Sequence, residues 1–360
     1  MTQLLIQTNS REYPLLIGTG LFQQKEILDD VLKNVPSSIL IITDDTIAPL
    51  YLQDVEEALG EYTVVSSKSI PSGEKSKSVE MFYDCQTFAM EKGLDRNSLI
   101  LALGGGVVGD LAGFVAATFM RGIRFIQAPT SLLAHDSAVG GKVAINHHLG
   151  KNSIGAFYQP EAVLYDLSFL QSLPEDEWRA GFAELIKHSL IWDKEFYPWL
   201  REEVPNMDKL KGPILKVALK RAIQVKADVV NQDEKETGIR AYLNFGHTLA
   251  HGLESELGYG NISHGDAVAI GMIFAMKVSE KVLHVSLPVK ELQDWFDAIG
   301  YPQFPTTISV QSLLAKMKKD KKAIKGSIRM CLMNEIGSLT IQEVEDRILL
   351  EVLQQYVREG

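Results

Sequence analysis

Leu99-Ile100-Leu101-Ala102-Leu103-Gly104-Gly105-Gly106-Val107-Val108-Gly109-Asp110 decides the fold class of this 360-residue chain. An unbroken apolar run that ends in glycines and continues as a helical pattern predicts a buried parallel strand, a tight turn and a helix. The glycines match G-x-G-x-x-G, whose small residues let the backbone approach a diphosphate while N-H groups at the helix start face its charge. A tight turn alone accounts for the match equally well. The usual fingerprint follows the first strand, but this one comes after two earlier strand candidates. The expectation is therefore a dinucleotide held by something other than the standard Rossmann arrangement.

The same alternation continues on both sides. Strand patterns at 39–42, 62–65, 99–103, 125–128 and 162–165 interleave with helical patterns near 47–60, 78–92 and 107–119. That order predicts a parallel sheet wrapped by helices. After about residue 168 the strand signals fade, and amphipathic helical patterns follow at 175–192, 213–230, 240–256, 264–283 and 288–298. The reading is an α/β N-terminal domain with a parallel sheet and the dinucleotide site, residues 1–168, and a mainly α-helical C-terminal domain, residues 169–360. The cleft between the halves is where a site is expected.

A net charge of -10 and a pI near 5.4 argue against a partner that is nucleic acid or a membrane surface. Cys85 and Cys331, far apart and without neighbouring cysteines, point to a reducing compartment rather than a disulfide framework. The start, Met1-Thr2-Gln3-Leu4-Leu5-Ile6-Gln7, lacks a basic segment and a long apolar run. No stretch reaches the ~20 apolar residues of a membrane span, so a cytoplasmic protein is expected.

Chemistry-bearing residues concentrate in three places. Read as one helix, residues 240–254 align Arg240, Asn244, His247, His251 and Glu254 in a stripe, with Tyr242, Phe245, Leu249 and Leu253 opposite. A third histidine, His264, stands in Ser263-His264-Gly265-Asp266, where Ser263 can cap a helix whose positive end favours the neutral, metal-binding imidazole. Paired histidines on a helix also occur as plain surface or core residues. Thr248 follows His247, so the zinc-protease pattern is absent, and a catalytic metal would still need a carboxylate or a further His. In the 175–192 helix, Glu184 and Lys187 lie off the stripe of Trp178, Phe182, Leu185, Ile186 and Leu190, either as a solvated flank or as a ligand beside a substrate-facing lysine. The third place is 121–152, where Arg121, Arg124, Lys142 and Lys151 face one acid, Asp136, and two of the cations adjoin glycines. Such a segment suits a phosphate or carboxylate. The apolar stretch 154–158 beside it suggests that it is tucked in, and there is no P-loop motif. Loops 43–46 and 72–77 could hold adenosine and phosphates or be ordinary polar turns.

With Gly104 to Asp110, Asp136 to Lys142, Gly150-Lys151-Asn152, Phe182-Ala183-Glu184-Leu185-Ile186-Lys187, Asn244-Phe245-Gly246-His247-Thr248-Leu249-Ala250-His251 and His264-Gly265-Asp266 in this order, the chain closely resembles the 3-dehydroquinate synthase family of sugar phosphate cyclases. The resemblance runs from about residue 15 to 325. It implies conversion of 3-deoxy-D-arabino-heptulosonate 7-phosphate to 3-dehydroquinate and phosphate, the second step of the shikimate pathway. It also implies a divalent metal, zinc or in its place cobalt, an NAD reduced and reoxidised in each turnover, and a homodimer. Carried over by motif, the metal ligands are Glu184, His247 and His264, and His251 faces the substrate instead. Arg121, Asp136, Lys142, Lys151, Asn152, Lys187, Lys226, Arg240, Asn244 and His251 are implied around the substrate's phosphate, carboxylate and hydroxyls, with Lys321 or Lys322 closing over it. NAD is implied on Gly106, Val107, Val108, Gly109, Asp110, Thr130 and Ser131, with Asp44, Glu74, Lys77, Lys142, Lys151, Phe169, Leu170, Gln171 and Ser172 contributing.

In that family transient oxidation at C5 acidifies the neighbouring C-H, phosphate leaves by β-elimination, and reduction, ring opening and an aldol closure complete the carbocycle. A site that holds charge and geometry through Lys, Arg and Asn suits this. The chain departs from the commonest pattern between Pro129 and Asp136, which is one residue shorter than in many members, and at Ala138 and His148, where Ser and Pro are frequent. Three other readings compete. A 2-deoxy-scyllo-inosose synthase would need no carboxylate partner, which Arg240, Lys226 and Asn152 argue against. A polyol or glycerol phosphate dehydrogenase would release NADH, and a catalytically dead scaffold would bind neither cofactor.

Overall fold

The chain divides into two compact units, Met1–Pro174 and Glu175–Gly360. The computed structural model describes residues 1–258, 260–319, 323–324 and 327–359. None of its described helices is long and apolar enough to cross a membrane.

The first unit contains β1 (Thr2–Gln7), β2 (Glu12–Gly18), β3 (Ser38–Asp44), β4 (Val64–Ile70), β5 (Leu99–Gly104), β6 (Arg124–Pro129), β7 (Lys142–His147), β8 (Gly150–Phe157) and β9 (Ala162–Asp166). Its helices are α1 (Lys25–Val31), α2 (Gln53–Gly60), α3 (Val79–Glu91), α4 (Gly106–Thr118) and α5 (Ala134–Ser137). Seven strands form one sheet in the order β1-β2-β9-β6-β5-β3-β4, with β1 and β2 antiparallel and all other neighbours parallel. The apolar runs are continuous because both faces are covered. Leu40, Ile42, Ile100 and Ala102 join Val108, Leu111 and Val115 of α4 on one side. Ile39, Ile41, Leu99 and Leu101 join Leu28 of α1 and Val55 and Leu59 of α2 on the other.

The strand order explains the odd address of the glycine loop. From β3 the chain moves outward to β4, then returns past β3 to β5 and continues the opposite way to β6. The direction reverses between β3 and β5, and the carboxyl ends of such a pair form the ligand crevice of an open parallel sheet. Asp44 ends β3, and Gly104 ends β5.

Two local expectations need correction. The strand read at 62–65 forms at Val64–Ile70, because the C-terminal turn of α2 takes the preceding residues, with the Tyr62 amide donating to the Leu59 carbonyl at 3.0 Å. The stretch at 154–158 is not tucked in throughout. β7 and β8 form a separate two-stranded hairpin that leaves Leu149, Ile154 and Phe157 exposed.

The second unit holds α6 (Glu175–Ile191), α7 (Phe196–Glu203), α8 (Met207–Leu210), α9 (Ile214–Gln232), α10 (His247–Leu257), α11 (His264–Leu283), α12 (Val289–Ile299), α13 (Val310–Lys319) and α14 (Asp346–Glu359). α11 is the central helix, buried from Gly265 to Met276 and packed by α6, α10, α12 and α14. An antiparallel sheet of β10 (Ala323–Ile324), β11 (Ser327–Glu335) and β12 (Ser338–Val344) adds strands that the helical reading omitted.

The helix read through 240–256 is two segments. A 3-10 segment, Ile239–Asn244, precedes α10, and Gly246 between them has φ 81°. A Cβ there would lie 2.9 Å from the Met272 amide nitrogen and 3.1 Å from the Val268 carbonyl oxygen. Close approach to α11 thus breaks the helix, and only glycine tolerates both the space and the left-handed backbone.

Candidate functional site

In the second unit, three side chains from three helices converge. Glu184 on α6, His247 at the start of α10 and His264 at the start of α11 place their ligand atoms within 4.8 Å of one another. Glu184 Oε1 lies 3.4 Å from His247 Nε2 and 3.4 Å from His264 Nε2. Oε2 contacts the ammonium of Lys187, one turn along the same helix. Both Glu184 and Lys187 are 1 % exposed, so the pair read as a possible solvated flank is buried.

These distances fit a metal ion better than they fit hydrogen bonds. Glu184 Oε1 is inaccessible to water and lacks a hydrogen-bond partner among the described residues. Tetrahedral zinc ligands about 2.0–2.1 Å from the ion stand about 3.4 Å from one another. His247 Nδ1 lies 3.2 Å from the Phe245 carbonyl oxygen, an acceptor that keeps the proton on Nδ1 and leaves Nε2 free to ligate. The donor set, one carboxylate and two imidazoles, would suit a catalytic divalent ion that keeps a further position open.

Glycines make the convergence possible. A Cβ on Gly265 would sit 2.5 Å from the Ala180 carbonyl carbon and nearer still to that residue's Cα and oxygen. α11 therefore meets the backbone of α6 one turn before Glu184. A bidentate ion pair holds the same contact, with Arg179 donating to Asp266 at 2.8 and 3.1 Å. Ser263 caps α11 as expected, its hydroxyl accepting from the Asp266 amide at 3.0 Å.

Burial pushes His247 down to about 3, against the pull of Glu184. Burial also acts to lower His264, but the carboxylates of Glu184 and Glu254 outweigh it and take the ring up to about 9. Burial works to raise Glu184, yet Lys187 and the two imidazoles hold it well below the usual carboxylate range.

Arg240 and Asn244 occupy the 3-10 segment before α10. Arg240 is 1 % exposed, and its guanidinium contacts the Glu234 carbonyl oxygen. Asp233 folds that loop, accepting from the amides of Thr237 at 2.8 Å, Gly238 at 2.7 Å and Arg240 at 3.0 Å. Asn244 donates to Glu236 at 2.7 Å. The ring of His251 stands 5.5 Å from that of His247 and 6.3 Å from that of His264. Lys226 is buried on α9. Lys321 and Lys322 lie outside the described residues. Glu236, Asp233 and the close-packing role of Gly246 and Gly265 escaped the sequence reading. Only the two glycines carry a signal there, each directly beside a chemistry-bearing histidine.

In the first unit, Gly106 to Asp110 form the first turn of α4, whose start has no side-chain cap and so leaves its amides available to an anion. Here the glycines serve close approach. A Cβ on Gly104 would meet Val108 at 2.6 Å, one on Gly106 the Ser137 hydroxyl at 3.1 Å, and one on Gly109 Gln127 at 2.8 Å. Thr130 is tied to the loop by its amide, which donates to the Gly104 carbonyl at 3.1 Å, and Ser131 faces Gly105. Asp44, across the crevice, accepts from the Thr46 and Ile47 amides at 3.0 and 2.9 Å. Lys77, 4 % exposed, donates to Asp110 at 2.6 Å, contacts Asn152, and lies 3.6 Å from Glu74, so four of the expected residues meet.

Phe169 and Ser172 also serve the fold. Phe169 packs against Phe22 and Tyr51, and the Tyr51 hydroxyl donates to the Phe169 carbonyl at 3.0 Å and to Ser172 at 2.7 Å. Leu170 is buried beside it, and Gln171 is exposed. Arg121, with φ 69°, and Lys142, at the start of β7, are exposed. Asp136 lies on α5 and Lys151 on β8, both half-buried.

Comparison with known proteins places this geometry in company. Residues 67–180 match the family model described as 3-dehydroquinate synthase N-terminal, and residues 181–323 match 3-dehydroquinate synthase C-terminal. The chain is 55 % identical to the 3-dehydroquinate synthase of Geobacillus kaustophilus over 367 aligned positions, covering 100 % of this chain and 99 % of the relative. Among solved structures, a 2-deoxy-scyllo-inosose synthase complexed with carbaglucose-6-phosphate, NAD+ and Co2+ superposes with TM-score 0.89 at 26 % identity, covering 100 % of both chains. A 2-epi-5-epi-valiolone synthase from Streptomyces hygroscopicus, with NAD+ and Zn2+ bound, superposes with TM-score 0.86 at 22 % identity and 97 % coverage of each, a likeness of fold.

Proposed function

The chain belongs to the 3-dehydroquinate synthase family, and from that premise we propose that it converts 3-deoxy-D-arabino-heptulosonate 7-phosphate to 3-dehydroquinate and phosphate. The observation that carries this reading is the convergence of Glu184, His247 and His264, with the Oε1 atom of Glu184 inaccessible to water and aimed at both imidazoles. NAD and a divalent ion, zinc or cobalt, are the proposed cofactors. When bound, the ion would acidify the substrate's C5 hydroxyl, and NAD would take up and return the hydride.

The chain's own residues have four tasks. Glu184, His247 and His264 would hold the ion, while Oε2 of Glu184 contacts Lys187. Lys187 keeps Glu184 ionised and offers a cation to the substrate from the same buried site. Lys226, Arg240, Asn244 and His251 supply donors for the carboxylate and hydroxyls, with Lys321 or Lys322 as an added cation. Arg121, Asp136, Lys142, Lys151 and Asn152 complete the surroundings of the substrate's phosphate, carboxylate and hydroxyls, and the leaving phosphate assists removal of the proton beside the transient ketone. In the first unit the start of α4 receives the NAD diphosphate, while Asp44, Glu74, Lys77, Thr130, Ser131 and the 169–172 turn complete the nucleotide site. A homodimer in the cytoplasm is the proposed setting.

The structural likeness to the 2-deoxy-scyllo-inosose synthase raises a second substrate class, a sugar phosphate without a carboxylate. The buried Arg240 favours the acid, since a rigid guanidinium in a buried position is a strong carboxylate partner. Zinc-loaded protein with trace NAD should release phosphate from the heptulosonate 7-phosphate and not from glucose 6-phosphate. Release from glucose 6-phosphate alone would overturn the assignment.

A further inference from the structure

Glu254 shares the α10 face of His247 and His251, yet nothing in the proposed reaction uses it. It is 5 % exposed, and a buried carboxylate is costly unless a partner holds it. Its Oε1 lies 3.4 Å from His264 Nδ1, while Glu184 Oε1 lies 3.4 Å from His264 Nε2. One imidazole is therefore bracketed by two carboxylates, one at each nitrogen. Glu254 stands behind the ring, outside the group whose ligand atoms converge. His247 has the equivalent arrangement with a neutral acceptor, the Phe245 carbonyl. The two histidines thus differ in what faces their second nitrogen, and a carboxylate makes the opposite nitrogen the more basic donor.

We propose that Glu254 is the positioning residue for His264: its carboxylate accepts a hydrogen bond from Nδ1-H, fixes the tautomer that turns Nε2 toward Glu184 and His247, and tightens the binding of a divalent cation. The inference rests on the metal-site reading above. The full chain is titrated with Co2+ against a chromophoric chelator at fixed pH, and the cobalt absorption spectrum is recorded for the wild type, Glu254→Gln and His264→Ala. Loss of such an outer carboxylate weakens the Co2+ affinity of Glu254→Gln about 10–100-fold and changes the visible band. A merely structural Glu254 would lower the melting temperature and leave both cobalt readouts unchanged, which overturns the proposal. If Glu254→Gln does not fold, Glu254→Asp carries the test, with several-fold weaker cobalt binding expected and wild-type affinity again overturning the role. His264→Ala separates the two levels. Wild-type affinity in that variant sinks the metal site itself, whereas lost affinity there with wild-type affinity in Glu254→Gln sinks the role of Glu254 alone.

Discussion

Gly265→Ala should damage the metal centre without touching a ligand. The added Cβ would stand 2.5 Å from the Ala180 carbonyl carbon, where ordinary contact begins at 3.4 Å. Backbone rather than a flexible side chain is in the way, so α6 and α11 must part by about 1 Å. Ala180 lies one turn before Glu184, and Gly265 follows His264, so the separation falls on the 3.4 Å gap between Glu184 Oε1 and His264 Nε2. Overpacking of this kind costs about 1–3 kcal/mol. For a unit of this size that lowers the melting temperature by roughly 2–12 °C. A shift of that length at the reacting centre lowers kcat/KM on the order of 100-fold. Differential scanning fluorimetry with and without zinc, followed by a phosphate-release assay, reads both effects. Gly60→Ala is the control, since a Cβ there meets nothing within 4 Å. If Gly265→Ala melts, binds zinc and turns over like the wild type, close helix approach does not set the site.

Other perturbations follow from the same contacts. Burial acts to raise Asp233, but the amides of Thr237, Arg240 and Gly238 hold it below the usual range. Its contribution is complete above the unfolded value of about 3.9 and disappears as pH falls through the lower native value. Protection of those three amides against hydrogen exchange should therefore collapse on acidification, and Asp233→Asn should already lack it at neutral pH; equal protection in the variant would refute the staple. Asp110→Asn removes the nearest carboxylate from the buried Lys77 ammonium, with Glu74 at 3.6 Å as partial compensation. A loss of about 1–3 kcal/mol is expected by thermal denaturation, and an unchanged melting temperature would contradict it. Both cysteines are buried, and burial pushes the Cys85 thiol up to about 12. Neither should react with a thiol reagent at pH 8 until the protein is denatured, so prompt labelling of the native form would disagree.

Much of the fold was legible because its signals are local. The runs at 39–42 and 99–103 are apolar throughout, and helices such as α3, α6, α9 and α11 fall within a few residues of their periodic patterns. β1 escaped because Thr2–Gln7 buries only Leu4 and Ile6, and β2 because Pro14 interrupts its short apolar run. The β7–β8 hairpin escaped because β8 buries little, which leaves no apolar period to read. Gly246 broke a pattern that arithmetic had made continuous, for a reason that lies in α11 and not in the flanking sequence. Spacing likewise could not separate His247 from His251. That distinction depends on which ring nitrogen meets Glu184, a residue more than fifty positions away on another helix. The pairing of Glu254 with His264 is tertiary in the same sense.

The most direct test follows phosphate release and NADH absorbance together, in metal-stripped and zinc-restored protein given 3-deoxy-D-arabino-heptulosonate 7-phosphate and a trace of NAD. Many phosphates released per NAD, only with zinc and without accumulation of NADH, is the predicted result. NADH rising in step with substrate consumed would make the protein a dehydrogenase and contradict the account.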